Sequence, residues 1–261
     1  MELSFYKYQG TGNDFIIADN RTEKFTGLSE KKIKFLCDRR FGIGADGLML
    51  LNNKAGYDFE MVYYNADGKP GSMCGNGGRC MIRFAKDIGI DKSTFSFLAV
   101  DGPHEGDIDP QNIIRLKMQD VSNVENHQGY AILNTGSPHY IQFSTGVRKM
   151  DVFNAGKNIR YSDLFKKDGI NVNFVEWIGA GSIYMRTYER GVEAETLSCG
   201  TGVTAAALMS APNAKGFNNV FAETNGGKLS IEFNKIDDKT FRDIYLCGPA
   251  EFVFRGTINL L

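Results

Sequence analysis

SMCGNGGRCMIRFA, residues 72–85, returns in altered form as LSCGTGVTAAALMS at 197–210, with Cys74 laid on Cys199 at an offset of 125 residues. In both copies a cysteine stands directly before Gly-x-Gly, and small or apolar residues follow. Two further stretches keep nearly the same spacing. DFEMVYYNADG (58–68) lies on GSIYMRTYERG (181–191), setting Asn65 against Arg190 and Tyr64 against Glu189, and GTGNDFII (10–17) lies on NTGSPHYI (134–141) at an offset of 124. Three stations in one order mark an internal repeat. It divides the chain into two similar halves, 1–120 and 121–251, joined near Asp120–Gln128, where VSNVENHQG is polar and unpatterned.

The same plan of elements reads out of each half. Phe59, Met61 and Tyr63 alternate with their neighbours, and Tyr184, Arg186 and Tyr188 do so at the matching places, so both runs predict strands. Each C-G-x-G then opens a helix. In the first, Cys80, Phe84 and Ile88 recur at helical spacing before Gly89, a natural terminator; in the second, Ala205–Met209 runs on towards Pro212. Apolar or small residues on several faces predict helices wrapped by sheet. An earlier amphipathic helix starts near Ser29 and turns Ile33, Leu36 and Cys37 inward. The fold class is α+β, with two pseudo-symmetric domains, each a mixed, mostly antiparallel sheet around a central helix.

Composition narrows the function classes. The 261 residues carry 30 Lys and Arg against 31 Asp and Glu with no basic block, which leaves no electrostatic footprint for nucleic acid or an anionic membrane. No apolar run approaches the ~20 residues of a membrane span, and MELSFYKYQG lacks the basic and apolar regions of a secretory signal; the expectation is a cytoplasmic protein. Five cysteines, an odd number without a secretory signal, argue against a disulfide framework. The 30 glycines, with only 6 prolines, belong to turns and close backbone approaches rather than a linker.

A cysteine at a helix N-terminus meets unpaired backbone N–H groups and the positive end of the dipole, which favour thiolate. The dipole alone brings a thiol from ~8.5 to about 7 at most, so full activation needs another partner. The same amides bind a carboxylate. Two such units facing each other would hold one carboxylate with a thiol on either side of the attached carbon, one removing a proton and the other delivering one. Cys37, Cys80 and Cys247 read as packing residues. A metal site has little support, since zinc wants close Cys pairs or histidines and the only histidines are His104, His127 and His139. No glycine stretch is a dinucleotide or P-loop fingerprint.

These residues resemble the diaminopimelate epimerases over essentially the whole chain: GTGNDF (10–15), GIGADG (42–47), YNADG (64–68), MCGNGGRC (73–80), GSPH (136–139), NVNF (171–174), ERG (189–191) and SCGTG (198–202), in the family's order. The resemblance implies cofactor-independent epimerisation between LL- and meso-diaminopimelate in lysine and peptidoglycan precursor synthesis, with no metal and with Cys74 and Cys199 as the acid–base thiols. It implies that Gly75, Asn76, Gly200 and Thr201 hold the carboxylate of the reacting centre, and that His139 and Glu189 support the thiols and the substrate amine. Asn13, Asn65, Asn171 and Arg190 are implied for substrate recognition, with Arg190 suited to a bidentate grip on the distal carboxylate. It also implies a last strand, near 252–261, crossing back to the first domain, and a homodimer. Two positions depart from the family: Ser137 where many members have Asn, and Gly47 where many have Gln.

Two other readings predict different residues. A proline or hydroxyproline racemase usually has His after its first Cys-Gly, where this chain has Asn76, and its small cyclic substrate needs no Arg190. A PhzF-type isomerase would not need both cysteines. A thiol redox or binding protein without turnover would need only one cysteine, or a reversible Cys74–Cys199 oxidation.

Overall fold

The computed structural model describes residues 2–260; residue 1 of the first expected half and residue 261 of the expected last strand lie outside the described residues. Two compact units are present, one of residues 2–116 with 248–260 and one of Lys117–Cys247.

In the first unit β1 (Glu2–Gly10) turns through Thr11 and Gly12, both at positive φ, into antiparallel β2 (Asn13–Asp19). Helix α1 (Glu30–Cys37) carries the chain over to β3 (Gly47–Asn52), parallel to β2, and β4 (Phe59–Asn65) returns antiparallel. Helix α2 (Gly75–Asp87) then crosses to β5 (Thr94–Ala99), parallel to β4, followed by antiparallel β6 (Gly102–Ile108) and β7 (Ile114–Lys117).

The second unit repeats these pairings in order. After β8 (Val124–His127) come antiparallel β9 (Tyr130–Asn134) and β10 (Pro138–Phe143), then α3 (Val152–Arg160), and β11 (Asn171–Gly179) parallel to β10. Antiparallel β12 (Ser182–Glu189), short β13 (Ala194–Thr196) and α4 (Gly200–Met209) lead to β14 (Gly216–Thr224), parallel to β12, and then to antiparallel β15 (Gly227–Lys235) and β16 (Phe241–Gly248). The final strand, β17 (Glu251–Asn259), runs antiparallel along β1.

Each unit is built round its own helix. Helix α2 touches β1, β2, β3, β4, β6 and β17 and is buried on every face through its first eight residues. Glycines make that possible: a Cβ on Gly77 would lie 2.1 Å from the Met49 methyl, and one on Gly78 would lie 2.6 Å from that of Met73. Helix α4 touches β9, β10, β11, β12, β14 and β15 and keeps its girth small with Ala205, Ala206 and Ala207, all fully buried. A helix without a polar face is stable only when enclosed in this way. The outer helices differ. Helix α1 is amphipathic, capped by the Ser29 side chain, and buries Ile33, Leu36 and Cys37. Its counterpart α3 carries Gly156 in mid-helix, which weakens the helical signal in sequence; a Cβ there would lie 2.3 Å from the Tyr188 Cβ.

Two sequence expectations need correction. The strand registers shift the repeat by one residue: Phe15 faces Gly47 and Gly47 faces Asn65, while His139 faces Asn171 and Val172 faces Tyr188, so Glu189 rather than Arg190 is the counterpart of Asn65. The turn before the second cysteine is one residue longer, and this hid the slip. The stretch around Asp120–Gln128 is not a free connector either. Val121 bridges to Phe241, and Val124–His127 pairs with β9. Only Val124 of that strand is buried, so no alternation marks it. Among the described residues no helix is long and apolar enough to cross a membrane.

Candidate functional residues at two helix N-termini

Cys74 is the N-cap of α2 and Cys199 the N-cap of α4, with nearly equal backbone angles of φ -117°, ψ 119° and φ -115°, ψ 108°. The first intrahelical bonds run from the Gly78 N–H to the Cys74 carbonyl and from the Val203 N–H to the Cys199 carbonyl, both 2.8 Å. The amides of Gly75 to Gly77 and Gly200 to Gly202 therefore stand ahead of the helical ladder, where a helix binds anions. Cys74 is half-buried and Cys199 nearly buried. By contrast, burial pushes the Cys37 and Cys80 thiols up to about 12, which suits packing residues; Cys247 is also buried.

In the first unit the start of β2 brings Asn13 to the helix. Its Oδ1 lies 3.4 Å from the Cys74 Sγ and accepts from the Asn76 Nδ2 at 3.4 Å, while its Nδ2 donates to the Asp46 Oδ2 at 2.6 Å. Arg39 clamps Asp46 and Asp14 together at 2.8 and 2.6 Å. Burial raises the Asp14 carboxyl, but the bonds from Arg39 and Lys7 outweigh it and hold the group at about 2. Beneath them lies Arg79, fully buried, donating to the Asn76 Oδ1 at 3.1 Å, the Thr11 Oγ1 at 3.3 Å, and the Gly75 and Pro249 carbonyls at 3.4 Å each. Asn65 is exposed at the end of β4. Beside it, a Cβ on Gly47 would come within 2.3 Å of the Tyr63 ring and 2.5 Å of the Tyr64 carbonyl oxygen. Tyr63 occupies the space that a glutamine side chain would need, which accounts for the departure at Gly47.

In the second unit β10 and β11 place His139 beside the first turn of α4. Its Nε2 lies 2.9 Å from the Thr201 Oγ1, which lies 3.5 Å from the Cys199 Sγ. Its Nδ1 lies 3.1 Å from the Asn173 Nδ2. His139 is fully buried, and burial, with the nearby Arg190 charge, pushes its pKa down to about 3. The folded ring thus stays neutral where an unfolded one, near ~6.5, takes up a proton. Stability from this group is complete above pH ~6.5 and falls as the pH drops towards 3, by at most about 1.4 kcal/mol per unit. Urea unfolding should show a shallower acid loss between pH 6 and 4 in His139→Gln than in the parent, and parallel curves would refute the assignment.

The remaining residues gather at the start of β11. The Asn171 side-chain amide donates to the Ser137 Oγ at 2.8 Å and accepts from the Arg190 N–H at 2.9 Å. The exposed Arg190 guanidinium reaches the Asp168 carbonyl at 3.1 Å and the Ser137 Oγ at 3.4 Å. Glu189 is half-buried at the last position of β12. Ser137 thus takes part in the cluster despite replacing the commoner Asn. Sequence reading passed over Asp46, Arg79 and Asn173. The signal for Asn173 was present, because it lies two residues from Asn171 in the same strand and so on the same face. Among the described residues no group of three or more His, Cys, Asp and Glu is placed to hold a metal.

The fold is that of the epimerases, racemases and PhzF-type proteins built from two such halves. A Bacillus anthracis phenazine biosynthesis protein of the PhzF family superimposes with a TM-score of 0.71 at 13% identity over the whole of both chains. A hydroxyproline epimerase from Agrobacterium vitis superimposes at 0.68 and 11% identity, covering 98% of this chain and 92% of that one. The sequence profile of the family described as diaminopimelate epimerase matches residues 5–123 and 131–253. The diaminopimelate epimerase of Flavobacterium psychrophilum is 52% identical, covering 98% of this chain and all of its own, and that of Chlorobaculum tepidum is 43% identical, covering 96% and 99%. The chain belongs to the diaminopimelate epimerase family.

Proposed function

We propose that this enzyme interconverts LL- and meso-diaminopimelate by a two-base proton transfer between Cys74 and Cys199. The observation that carries the reading is the repeated one: each cysteine caps a helix whose leading amides can hold a carboxylate. The amides of Gly75, Asn76, Gly200 and Thr201 bind the carboxylate at the reacting carbon and absorb the negative charge that develops on it when the α proton leaves. One cysteine, as thiolate, takes that proton; the other, as thiol, gives its own to the opposite face, so charge is conserved across the step. Asn13 and Asn65 orient the substrate, Glu189 meets its amine, and Arg190 with Asn171 takes the distal carboxylate as a bidentate partner. His139 supports the Cys199 sulfur. The cytoplasm, a homodimeric assembly, and lysine and peptidoglycan precursor synthesis are the setting this reading carries with it.

The test is isotopic. Reduced protein incubated with LL-diaminopimelate in deuterated water should place deuterium on the α-carbon as the meso isomer accumulates, with no comparable exchange into L-proline. Absence of exchange into diaminopimelate would overturn the reading.

A further inference from the structure

The two helix ends match in backbone, yet the side chains beside their sulfurs differ: an amide oxygen, which can only accept, at Cys74 and a hydroxyl, which can also donate, at Cys199. At Cys199 the polarity can be traced from an unambiguous end. The Tyr140 carbonyl can only accept, and it lies 3.0 Å from the Asn173 Nδ2; the Thr187 hydroxyl lies 2.9 Å from the Asn173 Oδ1. The Asn173 amide is therefore fixed with its NH2 towards Tyr140 and towards the His139 Nδ1. A neutral imidazole facing that donor must accept at Nδ1, so its one proton sits on Nε2 and is donated to the Thr201 oxygen. Thr201 then has its own hydroxyl proton left, and the Cys199 sulfur lies next to it.

At Cys74 two ions set the polarity. The Asp46 carboxylate can only accept, so it turns the Asn13 NH2 towards itself and the Asn13 oxygen away; the Arg79 guanidinium can only donate, so it turns the Asn76 oxygen towards itself and the Asn76 NH2 towards Asn13. The group presented to the Cys74 sulfur is the Asn13 carbonyl oxygen, an acceptor.

We propose that the resting enzyme is polarised: the Asn173–His139–Thr201 chain donates to Cys199 and holds it as the thiolate, while Asn13, set by Asp46 and Arg79, accepts from Cys74 and holds it as the thiol. Asn173, Asp46 and Arg79 are positioning residues, since none of them touches a sulfur in the hydrogen bonds described. The helix dipole is common to both ends and does not discriminate between them. Asp46 and Arg79 are linked to the Cys74 end through Asn13 and Asn76, Arg190 acts on His139 at the Cys199 end, and Glu189 closes β12 beside Arg190. The buried Arg79 charge favours thiolate at Cys74, but its guanidinium is spent on the Asn76, Thr11, Gly75 and Pro249 oxygens. The Asn13 oxygen beside one sulfur and the Thr201 hydroxyl beside the other set the order. The inference rests on the epimerase reading only for the use of the polarity, which is that one epimer meets base and acid already in place while the other waits for both protons to exchange.

Two measurements on the reduced, substrate-free protein test it, so their failure is separable from failure of the isotopic test. In a histidine-labelled sample, 15N–1H spectra should show His139, told apart from His104 and His127 by the His139→Gln spectrum, as the neutral Nε2–H form throughout pH 5–8. Iodoacetamide alkylation followed at each cysteine by mass spectrometry across pH should give Cys199 the lower apparent pKa. Thr201→Val keeps the backbone amide and the shape but removes the hydroxyl. It should raise the Cys199 value by about one pH unit, the size of one hydrogen bond to a charged atom, leave Cys74 unmoved, and be reversed by Thr201→Ser. A His139 that carries its proton on Nδ1, a Cys74 more acidic than Cys199, or a Thr201→Val that leaves Cys199 unchanged would each overturn the proposal.

Discussion

Cys74→Ser and Cys199→Ser are each expected to lower kcat/KM for diaminopimelate epimerisation by about 10²- to 10⁴-fold, the usual contribution of a positioned acid or base. Serine keeps the size of the side chain and leaves the leading amides of α2 and α4 where they are, so substrate binding should survive and the loss should fall on kcat rather than KM. A hydroxyl cannot supply an anion near neutral pH as a thiol can. The two variants should also fail to rescue each other's direction: neither should convert LL to meso or meso to LL at more than the residual level. Deuterium appearing in the product at the parent rate in either variant would refute the two-thiol mechanism, and so would a loss confined to KM. Cys37→Ala provides the contrast, because its sulfur is buried against the core of the first unit. Its effect should be on stability, with the chemistry retained.

Much of the fold was legible because backbone and packing demands act locally. A helix enclosed on every side must be small or apolar, and 200–209 reads that way throughout, as does much of the first two turns of 75–87, whose charged residues Arg83, Lys86 and Asp87 come at its more open end; strands with one buried face must alternate, and Phe59, Met61 and Tyr63 do. The repeat itself was visible because the cysteine and its glycines meet the same requirement at the helix start in both halves, while the strand before them keeps its place to within one residue. Less legible were features whose meaning depends on partners far away in sequence. Val124–His127 is a strand because β9 is beside it, not because its own side chains alternate. Gly47 stood out in sequence only as a departure from the family's Gln, whereas the Tyr63 ring explains it. Asn173 and Asp46 are ordinary polar residues in sequence, and only the direction in which their amide or carboxylate is held gives them a role.

Arg79→Met should lower the unfolding free energy by about 3 kcal/mol. Methionine fills much of the same volume, so the effect is not that of a cavity. Removing a fully buried guanidinium relieves its own desolvation, which favours the variant by several kcal/mol, but it takes away the charged donor from oxygens of Thr11, Gly75, Asn76 and Pro249 that all accept from it. Each hydrogen bond from a charged group contributes about 1.5–3 kcal/mol, and four of them outweigh the relief. The loss should appear as a lower urea midpoint with an unchanged slope. Arg79→Lys should fall between the two, because an ammonium has three donors on one atom and cannot span partners that the guanidinium fork reaches on different sides. Pro249 belongs to the segment that returns from the second unit to lie in the first, so hydrogen exchange along β17 should speed up in Arg79→Met more than along β3. The same variant frees the Asn76 amide, and through it Asn13, so activity should fall further than the unfolded fraction accounts for. Equal stability of parent and variant, with full activity, would mean that the guanidinium neither holds the C-terminal segment nor orients the amides at Cys74.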